Sequence, residues 1–502
     1  MTKKVLCVVM NGVKTDVRVM KEAHSLRAAG YDVQLAGIIG SEETVNLVHE
    51  GFPLRLVAYT AHSRNLNTVN WFFSRSLMAL AGLAFLVAGF FAARWLLPAE
   101  ATFGHADAAA LLVTVIIVAI LLSRRQRIIN ILPPILELYN YFAYTYRGEP
   151  KAVVEEPDSD SALAERIPSN ILRAIVSHGA RSWIAHINGL NRAVYVAFRH
   201  AEFDIVHCHD FTALPAGVWL KRNRPQLKLV YDSHELFSAV FAESPVRHEW
   251  IRRFERRASS QIDACITVND NIARILGEYY PRLPAPTVVC NATLKPASDE
   301  GADAGPGYDG RLHDAAKIAH DCKILLFQGG LARHRGLAQL TGAGGALPKD
   351  WRLVYMGWGN YEADIRTLAE LADPTGEMIR FVPPVPQEEL AAWTAGATLG
   401  AIPYEPVSLN HIYCSPNKIW EYPRSGVPIL CSDAPEMTQR VRDYGIGWVI
   451  PQDQLTPLGI ARIVATLSDE DLARAKLACA AFIEQDNWSV YEKRLLEVYA
   501  RL

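Results

Sequence analysis

Short apolar runs alternate with segments of helical periodicity along most of this chain. The first apolar run lies at 4–10, apolar residues recur at helical spacing within 16–30, and residues 31–36 are apolar again. An apolar run, an amphipathic helix and a second apolar run form a βαβ unit, with which a doubly wound parallel sheet begins. The hydrophobic pattern therefore predicts an α/β fold.

The same alternation returns twice further along the chain. Apolar runs that extend the first sheet lie at 203–209, 227–235 and 263–269. A second series of runs lies at 323–330, 351–359, 378–384, 398–404 and 427–433. Two open α/β sheets in tandem predict a cleft that faces the carboxyl ends of the strands, where ligands bind in such folds.

The chain, with 502 residues, is too long for a single core. Residues 291–313 are rich in Gly, Asp, Ala and Pro, which is typical of a linker between domains. We expect two Rossmann-like doubly wound domains and a final helix that could pack back on the first of them. The predicted bounds are 1–60 with 183–291 for the N-terminal domain, 61–182 for an insertion, 314–485 for the C-terminal domain and 486–502 for the helix.

The insertion carries a membrane signal. Residues 76–93 and 108–123 contain no charge, and at about 1.5 Å per residue they reach roughly 27 and 24 Å, slightly less than a hydrocarbon core of about 30 Å. Arg75 precedes the first segment and three arginines follow the second. In the loop between the two segments, Arg94 is the only lysine or arginine. By the positive-inside rule both outer ends are cytoplasmic. We expect a membrane-embedded helical hairpin, spanning or re-entrant, with a buried helical pair as the alternative.

Charge and cysteine usage narrow the function classes. A net charge of −2 offers no basic excess for a general nucleic-acid binder. The eight cysteines occur singly, without a Cys-x-x-Cys pair, and most lie in apolar runs. This distribution indicates buried, reduced thiols of a cytosolic protein. No signal peptide is predicted at the start of the chain.

Polar residues follow the first predicted strand. Asn11 and Gly12 can form a tight turn that lets a ligand approach the backbone. Asp16 and Arg18 come at the start of the next helix. A helix-capping aspartate and a solvated arginine are the alternative to a ligand contact there.

Histidines mark the ends of the next strands. In the sequence His-Cys-His-Asp we expect His207 and His209 to point to opposite faces of the strand, so that they cannot ligate one metal as a pair, with His209 nearer the cleft. In Asp-Ser-His-Glu, His234 and Glu235 follow a later strand. Since unpaired polar groups are costly to bury, we expect this cluster to be exposed in the cleft or hydrogen-bonded within it.

The second domain contains a turn suited to phosphate. Gly329 and Gly330 let a ligand approach the backbone, and Arg335 follows with a planar fork of donors that fits phosphate oxygens. An ordinary βα turn with solvated cations is the alternative. The Gly-Trp-Gly sequence at 357–359 lacks the spacing of a dinucleotide fingerprint, so no dinucleotide cofactor is predicted.

A later stretch predicts a helix start beside an anionic ligand. Ser415 suits the N-cap and Pro416 the first helical position, which places Asn417 and Lys418 in the first turn. A helix N-terminus with a lysine beside it favours an anionic group, here a diphosphate. Glu421 lies on nearly the same face as Lys418 and could accept two ribose hydroxyls.

In combination these motifs resemble the retaining GT-B glycosyltransferases of family four. The resemblance covers about residues 1–60 and 185–502. The motifs that carry it stand in the family's order: DVRVMKEAHSLRAAGYDV, FDIVHCHD, VYDSHEL, ITVND, LFQGGLARHRGL and SPNKIWEYPRSGVPILCSD. Members of the family transfer sugars from nucleotide donors, and many build bacterial surface polysaccharides. The resemblance implies two Rossmann-like domains facing a cleft and an enzyme that uses neither a metal nor a cofactor.

The resemblance also implies roles for single residues. Arg335 matches the basic residue that binds the donor diphosphate, and Lys418 and Glu421 match the helix that contacts donor sugar and ribose. His209 matches a first-domain histidine near the donor sugar, and Gly12 the glycine-rich first turn. The predicted sets are His209 and Glu421 for catalysis; Gly12, Gly329, Gly330, Arg335, Tyr413, Asn417, Lys418 and Glu421 for donor binding; and Asp16, Arg18, His234 and Glu235 for the acceptor side.

The chain departs from the family pattern at three positions. Tyr413 stands eight residues before Glu421, where members carry a second glutamate. Gly330 stands where an arginine is often found, and Pro423 lies inside the helix, which we expect it to kink. The Asp-Ser-Asp sequence at 158–160 lies in an acidic run typical of a solvated linker, so no metal site is predicted there.

We therefore expect a membrane-associated retaining glycosyltransferase at the cytoplasmic face of the cell membrane. It would move a hexose from a UDP- or GDP-sugar to a polyprenyl-diphosphate-linked or other membrane acceptor, in the biosynthesis of cell-surface polysaccharide or exopolysaccharide. A nucleotide-sugar epimerase of the same architecture and an inactive scaffold of a polysaccharide assembly are the alternatives.

Overall fold

A computed structural model describes residues 2–59, 169–241, 244–295 and 308–502. The predicted hairpin, with its apolar segments at 76–93 and 108–123, lies outside these ranges. Within them, no helix combines the length and the apolar character that crossing a membrane requires. Residues 1–61 and 187–502 form one compact unit. Both sheets described below belong to this unit.

The first sheet has eight strands. They are β1 (Lys4–Val8), β2 (Asp32–Ile39), β3 (Val45–His49), β4 (Phe52–Ala58), β5 (Ile205–His209), β6 (Lys228–Ser233), β7 (Ala264–Thr267) and β8 (Thr287–Val288). Their order is β3-β4-β2-β1-β5-β6-β7-β8, and only the edge strand β3 pairs antiparallel, with β4. Chain order reverses between β1 and β5, and in doubly wound sheets a crevice opens at such a switch point.

Six of the described helices lie between these strands, and two of them begin at a side-chain cap. They are α1 (Val17–Ala28), α2 (Ser169–Phe198), α3 (Asp210–Asn223), α4 (Phe237–Val240), α5 (Pro245–Ala258) and α6 (Asp270–Tyr279), with a short 3₁₀ turn at Ser259–Gln261. The Asp16 carboxylate accepts the Val19 N–H, and the Asn269 side chain accepts the Ile272 N–H. Asp16 is therefore a helix cap, as the simpler alternative held.

The second sheet has six strands, all parallel. They are β9 (Lys323–Gln328), β10 (Trp351–Met356), β11 (Ile379–Val382), β12 (Leu399–Ile402), β13 (Ile429–Ser432) and β14 (Gly447–Ile450). Their order is β11-β10-β9-β12-β13-β14, the doubly wound order with its switch point between β9 and β12. All four residues of β13 are buried, as expected of a strand covered by helices on both faces.

The second sheet is surrounded by short helices, and longer ones follow it. They are α7 (Arg311–Ala316), α8 (Leu337–Gly344), α9 (Glu362–Ala372), α10 (Leu390–Thr394), α11 (Leu409–Ile412), α12 (Lys418–Arg424), α13 (Pro435–Tyr444), α14 (Pro457–Thr466), α15 (Asp469–Gln485) and α16 (Trp488–Ala500), with a 3₁₀ turn at Gln452–Gln454.

The last helix returns to the first sheet. Trp488 Nε1 donates to Ser25 Oγ at 3.0 Å, which fixes α16 against α1. At the other end of α16, Tyr499 Oη lies 2.7 Å from His207 Nδ1 in β5. Both contacts are buried, so the end of the chain completes the core of the N-terminal domain.

All eight cysteines are described, and all are free thiols. Six are buried, and Cys322 and Cys414 are partly exposed. The predicted burial is confirmed for these six thiols.

Candidate active site

A cavity of about 740 Å³ opens at the carboxyl ends of strands from both sheets. The N-terminal domain contributes His234, Glu235, Ile272 and Asn291 to its walls. Eight of the residues predicted from the sequence line it: His234, Glu235, Gly329, Gly330, Arg335, Asn417, Lys418 and Glu421. Predictions from separate motifs of both domains thus converge on one cavity.

Hydrogen bonds across the cleft hold the two walls in register. Asn269 Nδ2 donates to the Tyr413 carbonyl at 2.7 Å, and the Leu236 N–H donates to Asn410 Oδ1 at 2.9 Å. Asn291 Nδ2 donates to the Ser415 carbonyl at 3.3 Å. Each bond joins one domain to the other, so the cavity has a defined shape.

The turn after β9 brings backbone and cation together. Gly329 has φ +98°, a left-handed conformation that side chains rarely adopt, and a Cβ there would lie 3.2 Å from Lys418 Nζ. Arg335 folds back over this turn, where its Nη1 donates to the Gly330 carbonyl at 3.2 Å. A ligand at this turn would meet main-chain groups and two cations, which is the arrangement that an anionic group requires.

Lys418 is the buried cation of the cavity. It is 6% exposed, its Nζ donates to Tyr404 Oη at 3.2 Å and lies 5.1 Å from the centre of the Phe327 ring. Within the described ranges it makes no ion pair with a carboxylate. A buried ammonium without a counter-ion is costly, and an anionic ligand would supply one.

Glu421 is held by a chain of side-chain hydrogen bonds. Gln328 Nε2 donates to Glu421 Oε2 at 3.0 Å, and Thr394 Oγ1 donates to Gln328 Oε1 at 2.7 Å. Gln328 ends β9 and Glu421 is one turn into α12, so the carboxylate is fixed at the cavity wall with its second oxygen available to a ligand hydroxyl.

The opposite wall is an acid–base cluster. His234 Nε2 lies 2.9 Å from Asp232 Oδ2, and His234 Nδ1 lies 3.4 Å from Asp210 Oδ2. Burial disfavours protonation of His234, but the two carboxylates outweigh it and raise its pKa to about 9. Glu235 stays exposed in the cleft, yet the surrounding walls and Asp210 raise its pKa to about 7.

Comparisons with known proteins find glycosyltransferases. Residues 147–293 match the family model described as Glycosyltransferase Family 4. A D-inositol 3-phosphate glycosyltransferase of Nocardioides sp. is 26% identical over 60% of this chain and 68% of its own length. Its counterpart in Thermomonospora curvata is 25% identical over 73% of this chain and 83% of its own.

Solved structures share the architecture. Sucrose-phosphate synthase of Thermosynechococcus elongatus superposes with a TM-score of 0.59 at 13% identity, over 99% of this chain and 98% of its own. The Anabaena protein HepE, solved with UDP and glucose, gives 0.58 at 10% identity over the full length of both chains. Such identities show the fold alone.

The chain is a glycosyltransferase with a GT-B fold, and its residues 147–293 match family four. The predicted resemblance to that family and the predicted enzyme class are therefore confirmed.

In this glycosyltransferase His209 is not at the cavity surface. It is 0% exposed and lies behind His234, with its Nδ1 3.3 Å from His234 Nε2. Burial lowers the pKa of His209. A direct role at the donor sugar does not fit this position, and any influence on the cavity passes through His234.

The prediction for the histidine pair was wrong. The rings of His207 and His209 stack with centroids 4.2 Å apart. Residues two apart on a strand point to the same face, because the side-chain period of a strand is two. The two histidines can therefore act as a pair.

Four other predicted residues, Arg18, Tyr413, Gly12 and Asp16, also lie away from the cavity lining. Arg18 is buried rather than solvated, and its Nε and Nη2 donate to the two oxygens of Asp232 at 2.8 Å each. Tyr413 caps α11 and offers its carbonyl to the other domain. Gly12 lies in the exposed turn after β1, near the α1 cap Asp16. A contact of these residues with donor or acceptor stays a prediction.

The predicted helix start was two residues too early. The helix begins at Lys418, its N-cap is Asn417 in a helical conformation without a side-chain cap, and Ser415 Oγ is buried without a hydrogen-bond partner. The Ile419 N–H bonds to the Pro416 carbonyl, so a tighter turn precedes the helix. Pro423 lies in the last turn of this seven-residue helix rather than in its middle.

Sequence reasoning missed Gln328, Tyr404 and Asn410, which line the cavity beside the predicted residues. Gln328 had a detectable signal, because it is a polar residue at the carboxyl end of an otherwise apolar strand. Gly357 was dismissed with its weak motif, yet a Cβ there would lie 2.0 Å from the Gly329 carbonyl oxygen. That glycine allows two cavity turns to pack backbone to backbone.

Proposed function

We propose that this glycosyltransferase moves a hexose, with retention, from a UDP- or GDP-sugar to an acceptor at the membrane. The observation that carries the proposal is the meeting of Gly329, Arg335 and the buried Lys418 at one end of the cavity. A nucleotide sugar has a diphosphate in its middle, which fits this cationic end. HepE, with the same fold, was solved with UDP and glucose.

In the proposed reaction the bond between the anomeric carbon and the diphosphate oxygen breaks, and the diphosphate leaves with the bonding electrons. Arg335 and Lys418 stabilise the charge that develops on it, because preorganised cations in a partly desolvated site cost no reorganisation during the reaction. The oxygen of the acceptor hydroxyl bonds to the anomeric carbon on the same face of the sugar, and its proton passes to the departing diphosphate. Glu421 orients hydroxyls of the donor, and His234 and Glu235 contact the acceptor.

The membrane acceptor is proposed from the sequence. The uncharged segments at 76–93 and 108–123, with arginines at their outer ends, favour a polyprenyl-diphosphate-linked sugar and a place at the cytoplasmic face of the membrane. Many members of the family that the sequence resembles build surface polysaccharides, and such an acceptor fits that role. The relatives named D-inositol 3-phosphate glycosyltransferase favour a second candidate, a soluble phosphorylated polyol.

One assay separates these candidates. The full-length protein in detergent or vesicles is given UDP- and GDP-hexoses with either a lipid-diphosphate sugar or inositol phosphate, and nucleoside diphosphate and glycosylated product are both measured. The proposal expects product with the lipid acceptor. Product with inositol phosphate alone would replace the acceptor class, and a changed sugar without any acceptor would support an epimerase. Release of nucleoside diphosphate from none of the donors would overturn the proposed reaction.

A further inference from the structure

A second cluster of polar side chains lies behind the cavity wall. Glu22 of α1, His207 and His209 of β5, and Asp232 of β6 are each 0% exposed. One donor atom from each of the four lies within 4.8 Å of all the others. None of the four lines the cavity, so the cluster is separate from the candidate active site.

The distances within the cluster fit the ligands of one ion. His207 Nε2 lies 3.6 Å from Glu22 Oε2 and 3.8 Å from Asp232 Oδ2, and His209 Nδ1 lies 3.3 Å from Asp232 Oδ2. Two ligand atoms bound tetrahedrally at about 2.0–2.1 Å stand roughly 3.3 Å apart. We propose that these four side chains bind one divalent transition-metal ion, with Zn²⁺ the best match to two imidazoles and two carboxylates.

The hydrogen bonding of the cluster is incomplete without such an ion. Among the described residues, Glu22 Oε2 and His207 Nε2 are buried without a hydrogen-bond partner, and Glu22 Oε1 has only the ion pair with Arg18. A buried polar atom without a partner costs free energy, and two of them side by side are unusual. A cation among them would accept the lone pairs of Glu22 and His207 at once.

The surroundings resemble the outer shell of a metal site. His207 Nδ1 lies 2.7 Å from Tyr499 Oη, which fixes the ring with Nε2 toward the cluster. Arg18 Nη2 and Nε donate to Asp232 Oδ1 and Oδ2 at 2.8 Å each, and Arg18 Nε lies 3.1 Å from Glu22 Oε1. Arg18 thus orients both carboxylates while leaving Glu22 Oε2 free.

The position indicates a structural role. The four ligands join α1, β5 and β6, and the Tyr499 contact adds α16. Asp232 Oδ2 also lies 2.9 Å from His234 Nε2 at the cavity wall, so the ion would stiffen that wall without touching a substrate. The inference does not depend on the proposed transfer reaction.

The test uses the full-length protein expressed with zinc in the medium and purified without chelator. We expect elemental analysis to find about one Zn²⁺ per chain in a four-ligand site. After removal of the metal with dipicolinate, Co²⁺ titration should produce the intense visible bands of four-coordinate Co²⁺, and Zn²⁺ should raise the melting temperature. Wild-type protein with neither a Co²⁺ band nor a Zn²⁺-dependent shift would overturn the proposal.

Variants locate the ion. Glu22→Gln and His207→Gln should lose the Co²⁺ spectrum, whereas His24→Gln, at an exposed histidine of the same helix, should keep it. Tyr499→Phe should keep the stoichiometry but weaken affinity roughly 10- to 100-fold.

If Glu22→Gln and His207→Gln bind Co²⁺ as wild type does, the ion is elsewhere and the inference fails. A strong thiolate-to-cobalt band would assign the ion to the nearby Cys7 and overturn the carboxylate ligands. The wild-type titration decides the matter even if both variants fail to fold.

Discussion

Lys418 Nζ donates to Tyr404 Oη at 3.2 Å inside the cavity and has no carboxylate partner within the described part of the chain. The ring of Tyr404 also lies 5.6 Å from this ammonium and 5.5 Å from the Arg335 guanidinium. One phenol therefore positions both cations of the proposed diphosphate site.

Removing that phenolic oxygen should weaken donor binding without abolishing it. Tyr404→Phe deletes one hydrogen bond to a charged donor, worth about 1.5 kcal/mol or slightly more than tenfold in an equilibrium constant. We expect the donor KM to rise by about this factor while the melting temperature changes little, because the ring stays. Unchanged donor KM would show that Tyr404 does not position Lys418.

A methyl group at Gly329 should disturb donor binding through two effects. Gly329→Ala forces a side chain into a left-handed conformation and places its Cβ 3.2 Å from Lys418 Nζ. The matched control is Gly376→Ala, which has φ +67° but open space around its Cβ. Both variants should lose about 1 kcal/mol of stability, but only Gly329→Ala should weaken nucleotide binding in calorimetry. Equal affinities in the two variants would contradict the assignment of this turn.

The buried pair of Arg18 and Asp232 should be essential for stability. Arg18→Met leaves the carboxylates of Asp232 and Glu22 buried without their cation, which typically costs about 3–5 kcal/mol. Arg501→Met removes one partner of an exposed pair with Glu497 and should cost less than about 1 kcal/mol. Urea denaturation of both variants measures the difference, and similar losses would exclude a structural role for Arg18.

Glu255 should make stability depend on pH. Its carboxylate accepts from Tyr231 Oη at 2.7 Å and Tyr280 Oη at 2.5 Å, but burial prevails and raises its pKa from 4.5 to about 7. Between these values the folded state keeps a proton that the unfolded state has released, so stability falls as pH rises from about 4.5 to 7 and then levels off.

Glu255→Gln should remove this part of the pH dependence. We expect the unfolding free energy of the variant, measured by urea denaturation, to rise relative to that of wild type as the pH increases from about 4.5 to 8. The rise should be on the order of 2–3 kcal/mol. A constant difference between the two proteins across this range would show that Glu255 titrates normally in the folded state.

Local patterns predicted much of this glycosyltransferase. The alternation of apolar runs and helical segments can be recognised within short stretches of sequence, and it predicted the two sheets. The glycines and cations after β9 and at the start of α12 follow the chemistry of short turns, and eight predicted residues meet in the cavity.

The wrong predictions have two causes: contacts between residues far apart along the chain, and a misapplied rule of strand geometry. The partner of Arg18 is 214 residues away, so no local pattern distinguishes its buried pair from a solvated arginine. His207 and His209 were assigned to opposite faces although the strand period places them together. The helix start at Lys418 depends on the backbone of Pro416 and Asn417, which residue preferences alone do not fix.

The most direct test of the central claim is nucleoside diphosphate release by wild type and Lys418→Ala, measured with UDP- and GDP-hexoses and a lipid-diphosphate acceptor. Lys349→Ala, at an exposed lysine of the same domain, is the control. Wild type and control should release diphosphate in step with product, and Lys418→Ala should lose on the order of a hundredfold in kcat/KM, since one charge-stabilising group at the leaving diphosphate is gone. Equal rates for Lys418→Ala and wild type would contradict the account, because the cavity would then not be where the diphosphate leaves.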